Sequence, residues 1–215
     1  MTSPNLPPVD GAAAGPVDFQ AYCDFASQLA AECGQLAAVS FGRHVAQRKS
    51  DGTLVTQTDE QVDRLISARI TGAYPDHAIL SEEQSTIYDP ASDFTWVVDP
   101  IDGTTNFTQG LPIWGVSIAL LYRGMPVVGV LDFPLLREQY VAVRGQGALR
   151  SGKPLVAAAD QAADDEHFLM KCTRTDRVYM LASPLKSRIM GSAAYHLCKI
   201  ADGAALAGIE MSPKV

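Results

Sequence analysis

The sequence predicts a mixed α/β (α+β) domain, and three observations predict it. The chain has 215 residues, 47% of them hydrophobic and 19% charged, which is enough for a sizeable core in one large domain or two small ones. Apolar residues recur at spacings of three and four in the first third of the chain. The middle instead carries β-rich runs separated by Gly- and Pro-containing breaks.

The elements follow in chain order. Residues 1–17 are rich in Pro, Gly and Ala and read as a flexible tail, leaving 18–215 as one domain. From Asp18, a plausible N-cap, Phe19, Cys23, Ala26, Ala30, Cys33 and Ala37 trace a helical stripe that Gly42 stops. Lys49 to Thr56 is a polar turn feeding a short β-prone run. Thr58 is expected to cap a second helix with Val62, Leu65, Ile66 and Ile70 on one face, ended near Pro75. Ala78-Ile79-Leu80 is a short strand stopping at Ser81-Glu82-Glu83. Phe94 to Val98 is another, expected to stop at Asp99. Gly115 to Tyr122, Val127 to Phe133 and Gln139 to Val143 read as an antiparallel meander broken at Arg123-Gly124 and Pro134. Beyond it, Ala157–Ala163 reads as helix or loop, and His167–Cys172 and Arg177–Ala182 as strands. A helix is expected over Ser192–Ile200, with Ser192 as N-cap and Gly203 as stop, and a last strand over Leu206–Met211.

Composition narrows the function classes. Seventeen basic against twenty-four acidic residues give a net charge of −7, the opposite of a nucleic-acid binder's footprint. The longest apolar run, Val116–Tyr122, is far below the roughly 18 residues of a membrane span. The first basic residue is Arg43, and targeting peptides need earlier positive charge. Cys23, Cys33, Cys172 and Cys198 form no C-x-x-C pair, as expected of free thiols in a reducing cytoplasm.

Two expected strands end in carboxylates, one at Glu82-Glu83 and the other at Asp99-Pro100-Ile101-Asp102. Strand ends are where loops converge into sites. Pro100 restricts the backbone between Asp99 and Asp102, so both side chains can enter one pocket. Two Asp and a Glu make a hard oxygen site suited to Mg²⁺. Gly103-Thr104-Thr105 follows at once, with small and hydroxylated residues where a helix can start and free N–H groups can hold phosphate oxygens. A cation site beside an anion-binding turn suits a phosphate ester.

The run Trp96 to Phe107, with Asp99-Pro100-Ile101-Asp102-Gly103-Thr104-Thr105-Asn106 at its centre, resembles the first signature of the inositol monophosphatase family of Mg²⁺-dependent, lithium-sensitive phosphatases. Lys49 to Asp59 (K-x-D-x-x-L-V-T-x-x-D), Leu80-Ser81-Glu82-Glu83, Gly191-Ser192-Ala193-Ala194 and Gly208-Ile209-Glu210-Met211 resemble further family segments in the same order. The resemblance implies a layered α/β/α/β/α sugar-phosphatase sandwich. It implies Glu82, Asp99, the Ile101 carbonyl and Asp102 as metal ligands, with Glu83 either supporting them or solvated. Asp59 and Thr104 would orient the nucleophilic water. Gly103, Thr104 and Thr105 would cradle phosphate, and Ala194 and Glu210 would lie near the substrate's hydroxyls. Lys49 could steer the phosphate or help hold its loop. Asp99, between the other ligands, could bridge two metals, and Thr104 needs Asp59 to receive its proton.

In the family a Trp-Asp pair, completing a second metal site, follows shortly after the Glu-Met seen at 210–211. The chain stops at Val215, about two residues short of it by family spacing. Unless the sequence is a fragment of a longer protein, the expectation is a last layer left incomplete, a first Mg²⁺ site retained, and an isolated chain that is slow or inactive. Inositol monophosphate or a similar small sugar or polyol phosphate is the expected substrate. 3′-Phosphoadenosine 5′-phosphate, fructose bisphosphate and histidinol phosphate stay open, as does a truncated, inactive member serving as an interaction protein. A homodimer is expected by resemblance.

Overall fold

The computed structural model describes residues 17–43, 47–48, 54–84, 87–156, 167–178 and 183–210. Its elements are α1 (Phe19–Ser40), β1 (Gln47–Arg48), β2 (Leu54–Val55), α2 (Gln57–Ala73), β3 (Ala78–Ser81), β4 (Phe94–Asp102), α3 (Thr104–Gln109), β5 (Gly115–Tyr122), β6 (Met125–Phe133), β7 (Glu138–Val143), β8 (Gly147–Arg150), β9 (Lys153–Pro154), β10 (Phe168–Lys171), α4 (Thr173–Val178), β11 (Lys186–Arg188), α5 (Ala193–Ala201) and β12 (Ala207–Ile209).

The central sheet has the order β3-β4-β5-β6-β7-β8-β9. β3 pairs with β4 in parallel, and every later pair is antiparallel. The helices α1 and α2 cover one face. Cys23, Ala26, Ala30, Cys33 and Ala37 of α1 and Val62, Ile66 and Ile70 of α2 pack there on Trp96, Val98, Ile118 and Leu120. Each large aliphatic side chain buried this way contributes about 1.5–3 kcal/mol. Ala and Cys dominate the α1 stripe, and these small side chains let a helix lie close to a sheet. On the other side, Ala194, Tyr195 and Cys198 of α5 pack with Phe133 and Tyr140. A three-stranded parallel sheet, β11-β10-β12, lies beyond α5. Gly208 of β12 admits Ile200 of α5 so closely that a Cβ there would stand 2.5 Å from the Ile200 Cδ1. The described layers therefore run helices, sheet, helix, sheet.

Several expectations need correction. Thr56, not Thr58, caps α2. The Thr56 hydroxyl accepts from the N–H groups of Thr58 and Asp59, and Asp59 reciprocates by accepting from the Thr56 N–H, a capping box. β4 does not stop at Asp99 but runs on to Asp102. Arg177 and Val178 end the helix α4 rather than begin a strand. The short strands β8, β9 and β11 carry no sequence signal of their own. Residues 1–16, 157–163, 179–182 and Met211, on which a tail, a helix or loop and two strand ends were expected, lie outside the described residues, as does Lys49. Cys23, Cys33 and Cys198 are buried free thiols and Cys172 is half-buried. Among the described residues no helix is long and apolar enough to cross a membrane.

Candidate active site

The site begins with an irregularity in β4. Asp99 stands opposite Ser117 and Asp102 opposite Gly115. Three steps along β4 thus match two along β5, which is a β-bulge. In a regular strand, residues three apart face opposite sides. The extra residue resets the alternation at the sheet's end. Opposite the bulge, Gly115 lies close against β6, where a Cβ would stand 2.6 Å from both the Asp132 carbonyl and the Phe133 ring. Within the bulge, Asp99 Oδ1 accepts from the Ile101 N–H at 3.1 Å. The Ile101 side chain is buried in the main core and so anchors its own carbonyl.

That carbonyl meets Thr104 at the start of α3. The Thr104 hydroxyl lies 3.2 Å from the Ile101 carbonyl and 3.3 Å from Asp59 Oδ1. One hydroxyl proton can serve only one of these acceptors at a time. When it faces Asp59, the hydroxyl's lone pairs stay open to a water. Asp59 is held for this from α2, where its Oδ2 is occupied by the Thr56 N–H (2.9 Å) and hydroxyl (2.5 Å). One carboxylate oxygen is therefore structural and the other faces Thr104. Burial raises the Asp59 pKa against the pull of these hydrogen bonds.

Glu82 follows β3, its N–H donating to the Val98 carbonyl at 3.1 Å. Just before it, the Ser81 hydroxyl donates to the buried Asp63 and accepts from the Glu83 N–H, which ties the Glu82-Glu83 turn to α2. Asp102 turns toward α5. Its carboxylate accepts from the Ser192 hydroxyl and from the N–H groups of Ala193 and Ala194, each at 3.1 Å, where the helix dipole favours negative charge.

Acidic crowding dominates the electrostatics. Burial, then the charges of Asp102, Glu82 and Asp59, raise Asp99 well above the carboxylate range. Burial also pushes Asp102 up to about 6, although its bonds to Ser192, Ala194 and Ala193 oppose the rise. Both residues keep some exposure. Hard oxygen donors that repel one another are the donor chemistry that a divalent cation fits. Among the described residues, no three His, Cys, Asp or Glu side chains already close on a common point.

Gly103 sits at a φ of 92°, a left-handed conformation open mainly to glycine. A Cβ there would stand 3.1 Å from the Ile113 carbonyl. With no side chain to cap α3, Gly103 leaves the first N–H groups of that helix to another acceptor. Thr105 is exposed on the same turn.

The structure therefore links Asp59, Thr104, Ile101 and Asp99 by hydrogen bonds, and Asp102, the residue after Ile101, reaches Ala194, with Glu82 close enough to act on Asp99. Glu210 stands apart, beyond β12. Its carboxylate lies 3.6 Å from His196 of α5. Two residues with structural parts to play were missed in the sequence. Asn106 donates from Nδ2 to the carbonyls of Ile113 and Met190, each at 2.6 Å. His196 accepts at Nε2 from the Met190 N–H at 2.9 Å. Their one sequence signal is a polar residue beside buried apolar ones, Asn106 before Phe107 and His196 within α5.

A model of the inositol monophosphatase family matches residues 18–215. The chain belongs to the inositol monophosphatase family. Among its relatives is a histidinol-phosphatase of Chlorobaculum parvum, 37% identical over 163 residues, which are 74% of this chain and 60% of that protein. Inositol monophosphatase 3 of Solanum lycopersicum is 31% identical over 198 residues, 85% of this chain and 74% of the relative. An IMPase of Thermotoga maritima has the same fold, with a TM-score of 0.76, 28% identity and coverage of 88% of this chain and 76% of that one. The chain thus spans less than two thirds of the length of the histidinol-phosphatase and about three quarters of the other two.

Proposed function

We propose that the chain hydrolyses a small phosphate monoester with the help of Mg²⁺, as the sequence resemblance implies. The observation that carries this reading is the Asp59–Thr104–Ile101 contact beside the Asp99–Asp102 bulge. It sets a proton-accepting pair next to a cluster of carboxylates that repel one another. Glu82, Asp99, the Ile101 carbonyl and Asp102 would hold the cation. When bound, Mg²⁺ supplies the positive charge that offsets phosphate and makes water more acidic.

The chain's own groups would do the rest. Thr104 would accept a hydrogen bond from the attacking water and pass a proton toward Asp59 Oδ1. The uncapped N–H groups at the start of α3 would hold phosphate oxygens. The oxygen of that water forms the new bond to phosphorus as the bond to the ester oxygen breaks, and the released alcohol takes up a proton. Ala194 and Glu210 would lie toward the alcohol half. A polyol such as inositol is the first candidate for that half, by the family. Histidinol phosphate is a specific second reading, favoured by the 37% identity to a histidinol-phosphatase.

Phosphate release from inositol 1-phosphate and histidinol phosphate, with Mg²⁺, with Mg²⁺ plus Li⁺, and with chelator, tests the proposal. Release that needs Mg²⁺ and falls with Li⁺ is expected. Equal release in chelator would overturn it.

A further inference from the structure

We infer that His196 is a positioning residue that orients Glu210 toward the alcohol half of the substrate while holding the turn that starts α5. The inference deepens the phosphatase reading and rests on it for the identity of the ligand.

His196 lies one turn into α5 and is only 5% exposed. Its Nε2 accepts from the Met190 N–H at 2.9 Å. An imidazole that accepts at Nε2 carries its proton on Nδ1 when neutral. Nδ1 stands 3.6 Å from Glu210 Oε2. At that distance the contact is electrostatic rather than a full hydrogen bond. The partial positive charge of the Nδ1–H still faces the carboxylate. Oε2 of Glu210 faces His196, and its second oxygen is uncommitted to it. That oxygen can accept from a donor such as a hydroxyl or an ammonium group.

The other arm of His196 acts on the site directly. The Met190 peptide is gripped on both sides, its N–H by His196 and its carbonyl by Asn106 Nδ2 at 2.6 Å. Next to it, Gly191 has a φ of 75°, and a Cβ there would lie 2.7 Å from Asn106 Oδ1. The Met190-Gly191-Ser192 turn is thus held between Asn106 and His196. From it the Ser192 hydroxyl and the Ala193 and Ala194 N–H groups reach Asp102. One imidazole therefore couples Glu210, the residue after β12, to the turn that meets Asp102. Removing it should loosen selection of the alcohol more than grip on the phosphate.

Two measurements test this. The first is calorimetric binding of inositol 1-phosphate and of inorganic phosphate, with Mg²⁺ present, to the wild type and to His196→Leu, His196→Asn, Glu210→Gln and His196→Leu/Glu210→Gln. His196→Leu should weaken inositol 1-phosphate about tenfold and inorganic phosphate clearly less, as expected when one charged acceptor loses its orientation while the turn at Asp102 is only loosened. His196→Asn, whose amide can place a donor where Nδ1 stands, should recover part of the loss. The double variant should be no weaker than the worse single one. Equal weakening of both ligands, or no change, would overturn the inference. The second measurement needs no ligand. The ¹⁵N imidazole signals of His196 should report the Nδ1–H tautomer, and Glu210→Gln should move Nδ1. An Nε2–H tautomer, or an Nδ1 signal indifferent to Glu210→Gln, would overturn it equally. A wild type that binds neither ligand would sink the phosphatase reading, and the tautomer would still decide the His196–Glu210 contact.

Discussion

Replacing Asp59 by Asn separates folding from proton transfer at a single carboxylate. Asp59 accepts three hydrogen bonds, two at Oδ2 from Thr56 and one at Oδ1 from Thr104. The amide oxygen of Asn can keep the Thr56 N–H. Its NH₂ can then donate to Thr104, whose own proton turns to the Ile101 carbonyl at 3.2 Å. The capping box is weakened rather than lost, at about 1 kcal/mol. Part of that is offset, because a carboxylate whose pKa burial raises no longer has to be kept charged. In a chain of this length 1 kcal/mol lowers Tm by about 2–4 °C. The amide cannot take a proton, so turnover should fall roughly 10²–10⁴-fold, or about 3–5 kcal/mol in the barrier. Asp59→Ala, which removes all three bonds, should lose both stability and turnover. Thermal unfolding together with phosphate release reads both quantities. Asp59→Asn turning over within threefold of the wild type would refute the relay. So would a Tm loss large enough to explain the lost rate by unfolding.

Other perturbations probe the supports around the site. Lys199 donates to Tyr140 and Asp202, each at 2.8 Å, and joins α5 to β7. Lys199→Met should cost about 2–3 kcal/mol, moderated because Arg150 still faces Asp202 at 3.3 Å. Urea unfolding reads this, and an unchanged midpoint would deny the network a part in stability. Gly191→Ala forces a left-handed alanine against Asn106. It should cost about 1–3 kcal/mol and weaken phosphate-ester binding with it, and a fully stable variant with normal binding would contradict the clamp. The site should also respond to pH. Burial raises Asp99 and pushes Asp102 up to about 6. Raised values mean that the metal-free fold gains stability as the pH falls through that range and loses it as the pH rises. Protons then compete with the cation, so Mg²⁺ affinity measured by calorimetry should drop from about pH 8 to about pH 5. An affinity that does not change with pH would contradict the assignment.

The helices were legible because burial imposes a spacing that the chain must show. The α1 stripe from Cys23 to Ala37 and the α2 stripe from Val62 to Ile70 are the buried faces observed. The β5–β6–β7 meander was legible for the same reason. The cap of α2 slipped by two residues because Thr56 and Thr58 are chemically alike, and only the reciprocal bond from Asp59 decides between them. The bulge at Asp99–Asp102 was read as a strand end, because a bulge is defined by register against a partner, here Gly115 and Ser117. β11 is Lys186-Ser187-Arg188 and shows no apolar alternation. The acidic cluster was legible in its composition. Its supports were not, since Asn106 acts on a backbone carbonyl 84 residues away and His196 on a backbone N–H. Backbone partners leave no pattern in a sequence.

The most direct measurement is phosphate release from inositol 1-phosphate by the purified chain and by its Asp99→Asn variant, each with Mg²⁺ and with chelator. Asp99 lies at the centre of the repelling carboxylates, so the cation site should depend on it most. Release by the wild type, slow but above background, is expected only when Mg²⁺ is present, and none above background from Asp99→Asn. Release that survives chelation, or an Asp99→Asn rate equal to the wild type, would contradict that expectation.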